Sequence, residues 1–433
     1  MRDGFNRRGM TSISRGQANR HSMLSSFRVL DLTDEKGFLC GKILADLGAD
    51  VIKIEKPGGD KARNIGPFYQ NIPHPEKSLY WFAYNLNKRG ITLDIETRDG
   101  QEIFRRLVKK ADFVIESFPV GYMDKSGLGY SALSKINPHL VMTSITPFGQ
   151  TGPYKDYKAS DIVGMAMGGL MYVTGTPERS PVRISSPQAY LQASAHAAAA
   201  TMIAHYYRET TGEGQYVDVS MQQCVVWGLA NVIPLWELNR VILRRVGSYL
   251  SGRWTGTKQR LVWQCKDGYV LFMVMGGAFG AKTNRGIVKW MQDEGMVTEF
   301  LQNMDWHAFD MAKQTQELQE QIEEPIARFF MTHTKAELYE GAFKQGIMLA
   351  PVSSPKDIIE NTQLKARDFW VDVEHPELGS TIRYPGAFVK ASETPCVIKR
   401  RAPLIGEHNL EIYEGELRLS RDEICMLKQA GVI

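Results

Sequence analysis

Few side chains in this sequence are grouped in ways that could do chemistry. The five cysteines, Cys40, Cys224, Cys265, Cys396 and Cys425, are scattered, and no two form a CxxC pair. An odd count at wide spacing points to thiols kept reduced, not to a zinc site or a disulfide framework. The nine histidines show no HExxH spacing, so each reads as a solvated or core residue and no metal is expected. Gly37-Phe38-Leu39-Cys40-Gly41-Lys42 looks like a phosphate loop, but its glycines stand one residue too close. Ile43 also replaces the Ser or Thr that would hold magnesium. Neither GxGxxG nor GxSxG occurs, so a dinucleotide fingerprint and a hydrolase elbow are both unsupported. What remains is a slight excess of cations. Lys+Arg number 52 against 48 Asp+Glu, a formal charge of +4. That is too small and dispersed for nucleic acid, yet it could serve a small ligand carrying phosphate.

The elements that must position such a ligand are legible. Phe27–Leu32 alternates and is β-rich, Lys42–Leu47 reads as a helix stopped by Gly48, and Ala49–Glu55 as a second strand closed by Pro57-Gly58-Gly59. Ile91–Asp94, Asp112–Glu116 and Leu140–Ile145 read as further strands, with a helix over Asp99–Lys110. Strands alternating with helices predict a parallel, Rossmann-like α/β sheet. Ala197–Ala204 predicts a closely packed, Ala-rich helix. Between about Leu238 and Gln345 the text changes to Met, Trp and long amphipathic stretches such as Ala312–Phe330, which suggests a smaller α+β domain. The layout is therefore a disordered extension over 1–26, a large domain over 27–235, a small domain over 236–345 and a return to the large domain over 346–433. Residues 1–26 contain five arginines and one acid, Asp3, a composition also seen in transit peptides; a disordered extension is the reading adopted. At 43% apolar and 23% charged the composition is that of a globular protein. No apolar run reaches the length of a membrane span, so a cytoplasmic location with no membrane contact is expected.

Three stretches carry a family resemblance. They are Arg28–Thr33 with Leu44–Asp60, Asn87–Asp94 with Ala111–Glu116, and Ala402–Asn409 with the closing Leu427–Ile433. In combination the chain resembles the class III CoA-transferases, the group of the formyl-CoA, carnitine and benzylsuccinate enzymes, whose fold methylacyl-CoA racemase shares. The resemblance implies a Rossmann-like domain interrupted by a smaller one, two chains intertwined like links, and coenzyme A as co-substrate. It also implies a cycle in which an Asp carboxylate attacks the acyl-CoA thioester and forms a mixed anhydride. The released CoA thiolate then attacks that anhydride, leaving an aspartyl-CoA thioester, and the acceptor carboxylate runs the steps in reverse.

The family's Asp lies fifteen residues past the Gly of a Thr-Gly turn and twenty-two before the Gly of a Thr-Gly-x-Gly-Gln. Counted from Thr174-Gly175 and from Thr211–Gln215, both land on Tyr190. No acidic residue occurs between Arg183 and Arg208. A phenol with an ordinary pKa of about 10 is protonated at neutral pH, and an aryl ester would stall a cycle that needs anhydrides. Tyr190 therefore reads as a pocket wall or a packed helix-start tyrosine, and Asp161 as a supporting carboxylate. The loop Ser251–Gly256 carries Arg253 and Trp254 where formyl-CoA transferase has a run of glycines. By position in the family, Lys56, Leu93, Asp94, Ser117, Phe118, Lys125 and Lys158 are expected to contact CoA. Together with the run Phe68–Asn85, the Tyr190 replacement looks most like the nucleophile-less subunit of the benzylsuccinate branch, partnered by a paralogous subunit that supplies the Asp. Two other readings stay open: a self-sufficient homodimeric transferase or racemase-like enzyme using Asp161, and a non-catalytic CoA-binding regulatory protein.

Overall fold

The computed structural model describes residues 22–251 and 257–433. Two compact units result. Among the described residues, the first comprises those up to Gly168, Ser185–Gly228 and Ala366–Ile433; the second comprises Gly169–Ile184 and those of Leu229–Lys365. The second unit spans more than the 236–345 outlined by composition, because residues 169–184 pack with it. Residues 23–26, assigned to the leading extension, instead form a turn in which Leu24 is buried and its N–H bonds the Leu47 carbonyl at 3.0 Å.

In the first unit the chain runs β1 (Arg28–Leu32), α1 (Phe38–Asp46), β2 (Asp50–Glu55), α2 (Leu79–Tyr84), β3 (Arg89–Thr92), α3 (Arg98–Val108) and β4 (Phe113–Glu116). It continues through α4 (Tyr122–Lys125), α5 (Tyr130–Ile136), β5 (Val141–Thr146), α6 (Asp161–Met167), α7 (Gln188–Thr211), β6 (Tyr216–Ser220) and α8 (Met221–Trp227). The six strands form a parallel sheet in the order β3-β2-β1-β4-β5-β6. The winding reverses between β1 and β4, so the crevice outside their carboxyl ends is the natural ligand site of such a sheet. Strands β1, β2, β4 and β5 are buried along nearly their whole length because helices cover both faces, and polar residues within them, such as Asp31, Lys53, Thr143 and Ser144, are buried too. Strand β3 lies two residues earlier than the expected Ile91–Asp94. Asp94 turns the chain instead, its Oδ1 accepting from the Glu96 N–H at 3.0 Å. Helix α7 is three times the length of its alanine run, since nothing breaks it before Gly212, whose φ of +79° ends it.

The residues that carried the resemblance mostly hold this sheet together. Lys88 Nζ donates to the buried Asp31 at 2.8 Å. Burial alone raises the Asp31 pKa, but Lys88 and Lys53 outweigh it and hold the carboxyl below its ordinary value. Edge strand β3 is covered by the segment Ala402–Asn409. The Gly90 N–H donates to His408 Nδ1 at 3.1 Å, and the Thr92 N–H donates to Asn409 Oδ1 at 2.9 Å. That satisfies two donors which an open edge would present to other chains. Arg89 pairs with Asp50, Glu411 and Glu416.

The second unit runs α9 (Val232–Asn239), β7 (Tyr249–Ser251), β8 (Lys258–Arg260), β9 (Val262–Cys265), β10 (Gly268–Phe272), α10 (Gly277–Asp293), α11 (Glu299–Gln302), α12 (Gln316–Thr332), α13 (Lys335–Gln345) and β11 (Leu349–Pro351). Strands β9, β10 and β11 form an antiparallel sheet in the order β11-β10-β9. Its core stacks Trp263, Phe272 and Phe330 edge-to-face. The expected α/β class is observed, with an interrupted parallel-sheet unit and a smaller α+β unit. Arg253 and Trp254 lie outside the described residues.

Candidate functional site

At the carboxyl ends of β1 to β4 lies a cavity of about 330 Å³. Leu32, Ile54, Leu93, Ile95 and Phe118 give it an apolar lining, and Lys56 and Lys61 reach it from the turn after β2. Acidic side chains share the lining: Asp34, Glu35, Glu55 and Asp60. Glu55 is fully engaged by Arg63, which donates Nε at 2.6 Å and Nη2 at 2.8 Å in a bidentate buried pair. The Arg63 guanidinium also lies over the Trp81 ring at 3.8 Å. Burial, and then Asp34 beside it, push the Glu35 pKa up. Burial likewise raises Asp60, with Lys53 opposing.

Of the CoA positions expected from the family, the structure brings Lys56, Leu93 and Phe118 to this cavity. Ser117 lies behind them, buried; its Oγ donates to Asp34 Oδ1 at 2.7 Å and accepts from the Asp34 N–H at 2.8 Å. That exchange ties the loop after β1 to the loop after β4 across the reversal point. Asp94 forms the turn already described. Lys125 ends α4 and Lys158 sits in the loop before α6; both are exposed, and neither lines the cavity. Lys56 Nζ pairs with Glu96 at 2.8 Å, and Tyr122 donates its hydroxyl to the same carboxylate at 2.7 Å. Both members of the Lys56–Glu96 pair are about half exposed, so the pair is weak and Lys56 is easily recruited by a phosphate.

Tyr190 is the third residue of α7 and is buried. Its backbone N–H donates to Asp161 Oδ1 at 3.0 Å. Pro187 precedes the helix and offers no side-chain cap, so the Asp161 carboxylate, at the first position of α6, satisfies one of the open N–H groups of α7. A negative charge there also suits the positive end of the helix. Burial pushes the Tyr190 phenol up to about 12, with Glu35 adding to the shift, so at neutral pH it is a neutral hydrogen-bonding group and no nucleophile. Tyr80 is raised by burial, with Tyr84, Glu35, Tyr190 and Asp161 all contributing. Tyr80, Tyr190 and Asp161 thus lie within electrostatic reach of one another, and Glu35, which lines the cavity, acts on both tyrosines.

Sequence reasoning missed Glu35, Asp60 and Tyr80. The first was findable: it lies two residues past the LDLT strand end, in the loop leading to α1, where the winding rule puts ligands. The others come from turns and a short helix whose placement no local pattern specifies. A separate cavity of about 380 Å³ lies along β4 and β5 and includes Glu116, Ser144 and Tyr216. Burial pushes Glu116 up to about 7. Among the described residues no cluster of three or more metal-ligating side chains occurs, and no helix is long and apolar enough to cross a membrane.

Comparison with known proteins agrees with this fold. Residues 24–409 match the family model described as CoA-transferase family III. The subunit BbsE of succinyl-CoA:(R)-benzylsuccinate CoA-transferase from Thauera aromatica is 38% identical over 396 residues, covering 90% of this chain and 93% of that one. Succinyl-CoA–D-citramalate CoA-transferase from Chloroflexus aurantiacus is 31% identical over 412 residues, 95% of this chain and 98% of that one. A crystal structure of a CAIB/BAIF family protein from Brucella suis superposes with a TM-score of 0.77 at 29% identity, covering 92% of this chain and 100% of that one.

Proposed function

Since the chain belongs to CoA-transferase family III, we propose that it is the nucleophile-less subunit of a hetero-oligomeric transferase moving CoA from succinyl-CoA to a second dicarboxylic acid. The observation that carries this reading is Tyr190, buried at the start of α7 where the family's attacking Asp is expected, with no acidic residue between Arg183 and Arg208. Asp161 is a poor substitute, because its Oδ1 accepts the Tyr190 N–H at the start of α7. A paralogous subunit supplies the Asp, and this chain completes an intertwined cytoplasmic assembly. Acids named for the two relatives, succinate with benzylsuccinate and succinate with citramalate, are all dicarboxylic. That favours a dicarboxylic donor and acceptor here, and an aromatic acceptor such as benzylsuccinate suits the similarity to BbsE.

CoA binds, in this reading, at the cavity outside β1 to β4. Leu93, Ile95 and Phe118 receive its apolar and aromatic parts, and Lys56 and Lys61 meet phosphate as compact point charges. Asp94, Ser117, Lys125 and Lys158 are assigned supporting contacts on family position alone.

The test is covalent trapping. The complex of this chain with its paralogue is incubated with succinyl-CoA, treated with hydroxylamine and digested for mass spectrometry. Hydroxamate is expected on the paralogue's Asp and nowhere on this chain. Full transferase activity of this chain alone, or hydroxamate at Asp161, overturns the proposal. Tyr190→Phe in this chain leaves turnover of the complex within about threefold, as for a residue that supplies no transition-state contact. Tyr190→Asp makes the chain itself a site of labelling, strengthening as pH rises, because burial and nearby Glu35 raise the pKa of the new carboxyl.

A further inference from the structure

The cavity of about 380 Å³ along β4 and β5 is built around a buried carboxyl and has no cation in its lining. Strand register sets the group in place. Glu116 stands beside Ser144 and Met142 beside Tyr216, so these four side chains share one face of the sheet, and all four line the cavity. Glu116 is 3% exposed and Ser144 0%. Glu116 Oε2 accepts from the Phe118 N–H at 2.6 Å. The Ser144 hydroxyl lies next to both Glu116 and Tyr216, yet makes no well-formed hydrogen bond among the described residues. Tyr130, at the start of α5, brings its ring to 5.8 Å from that of Tyr216. No Lys, Arg or His lines the cavity, and a second carboxylate, the exposed Asp124, adds to the lining.

A buried carboxylate is stable only when a cation or several donors stand against it. Here burial disfavours the charge, and Asp34 outweighs Lys36 among the neighbours that act on it. The complement of such a site is a positive group that donates several hydrogen bonds, to Glu116, to the open Ser144 oxygen and to the Tyr216 phenol. A hard divalent ion takes several carboxylate or carbonyl oxygens, and among the described residues no cluster of three metal-ligating side chains occurs. An ammonium needs fewer, and the paired tyrosine rings offer it their faces. Pro119, Val120, Met123 and Met142 supply an apolar wall, and the volume suits a short alkyl chain. We propose that this cavity binds a small primary amine as its ammonium ion, with Glu116 as counter-ion and Ser144 and Tyr216 as hydrogen-bond partners. The site lies wholly within the first unit and is independent of the transferase reading.

The full chain is titrated calorimetrically with butylamine and with butanol, its uncharged counterpart of similar size. At pH 8 the amine is expected to bind about tenfold or more tightly than the alcohol, as a charge-assisted contact implies. Glu116→Gln brings the two to equal affinity, and Ser144→Ala narrows the gap about threefold. A circular dichroism spectrum of each variant matching that of the unaltered chain separates lost binding from lost fold. The charged and titratable groups around Glu116 are Asp34 and Lys36 from the loop after β1, Asp124 from α4 and Tyr216 from β6. Burial sets the Glu116 pKa at about 7 and binding needs its ionised form. Amine affinity is therefore about five- to tenfold weaker at pH 6 than at pH 8, with a proton released on binding at pH 6. Equal affinity for amine and alcohol in the unaltered chain, an amine preference that survives Glu116→Gln, or an affinity flat between pH 6 and pH 8 overturns the proposal. Calcium chloride is expected not to compete with butylamine; competition that Glu116→Gln abolishes gives the cavity to a metal ion and overturns the ammonium assignment.

Discussion

Single residues set the chemistry of this chain as much by what they withhold as by what they offer. Tyr190 presents a neutral phenol where a carboxylate would act, and Asp161 turns its charge to a helix end. Glu116 shows another cost of placing an acid among strands. It is buried at the end of β4, its Oε2 accepts from the Phe118 N–H at 2.6 Å, and burial lifts its pKa to about 7. The native state therefore holds this proton over a range where the unfolded chain, with an ordinary glutamate, has released it. Stability falls as pH rises from the ordinary carboxylate range towards 7, and the penalty is complete above that. Glu116→Gln keeps the acceptor and removes the ionisation. It is expected to stabilise by roughly 1–3 kcal/mol at pH 8 and to have little effect near pH 4.5, by the usual conversion of a pKa shift to free energy. Urea denaturation at both pH values checks this, and a pH-independent effect would contradict it.

Among elements, the contact of α10 with α13 depends on one missing side chain. A Cβ at Gly341 would lie 2.0 Å from the Trp290 ring. Gly341→Ala is expected to cost about 2–4 kcal/mol in the second unit through overpacking, despite the better helix propensity of alanine. Adding Trp290→Leu is expected to recover much of the loss; additive costs in a double-mutant cycle of thermal melts would count against the contact. This pairing also marks the limit of what the sequence discloses. Strands β1, β2, β4 and β5 were legible because burial on both faces leaves runs such as Val-Ile-Lys-Ile and Phe-Val-Ile-Glu between turn residues. Strand β3 slipped by two residues because the Asp94 turn competes with the ladder, and only the partner strand decides that contest. Gly341 against Trp290 joins residues fifty-one positions apart, and no spacing rule signals it. At the site, Lys56, Leu93 and Phe118 were found through family positions. Glu35 and Tyr80 matter through proximity created by the fold.

For the molecule as a whole, the exposed apolar side chains are the main feature of an unpartnered chain. Ile203 and Tyr206 on α7, Trp227 on α8 and Phe343 on α13 are all at least 71% exposed. In the hetero-oligomer reading, these are groups that a partner chain covers. The hetero-oligomer reading therefore predicts that the isolated chain binds an apolar fluorescent dye strongly. Titration with the paralogous subunit is expected to quench that signal at equal stoichiometry, and a signal indifferent to the partner contradicts the reading. The closure of edge strand β3 has a consequence for synthesis. The N–H groups of Gly90 and Thr92 wait for His408 and Asn409, and Asp94 waits for the Val432 carbonyl. Translation delivers those partners more than 300 residues later, after the entire second unit has left the ribosome. Throughout that interval the nascent sheet carries an open edge, and any message truncated past the second unit yields a product able to pair with its neighbours and unable to finish itself.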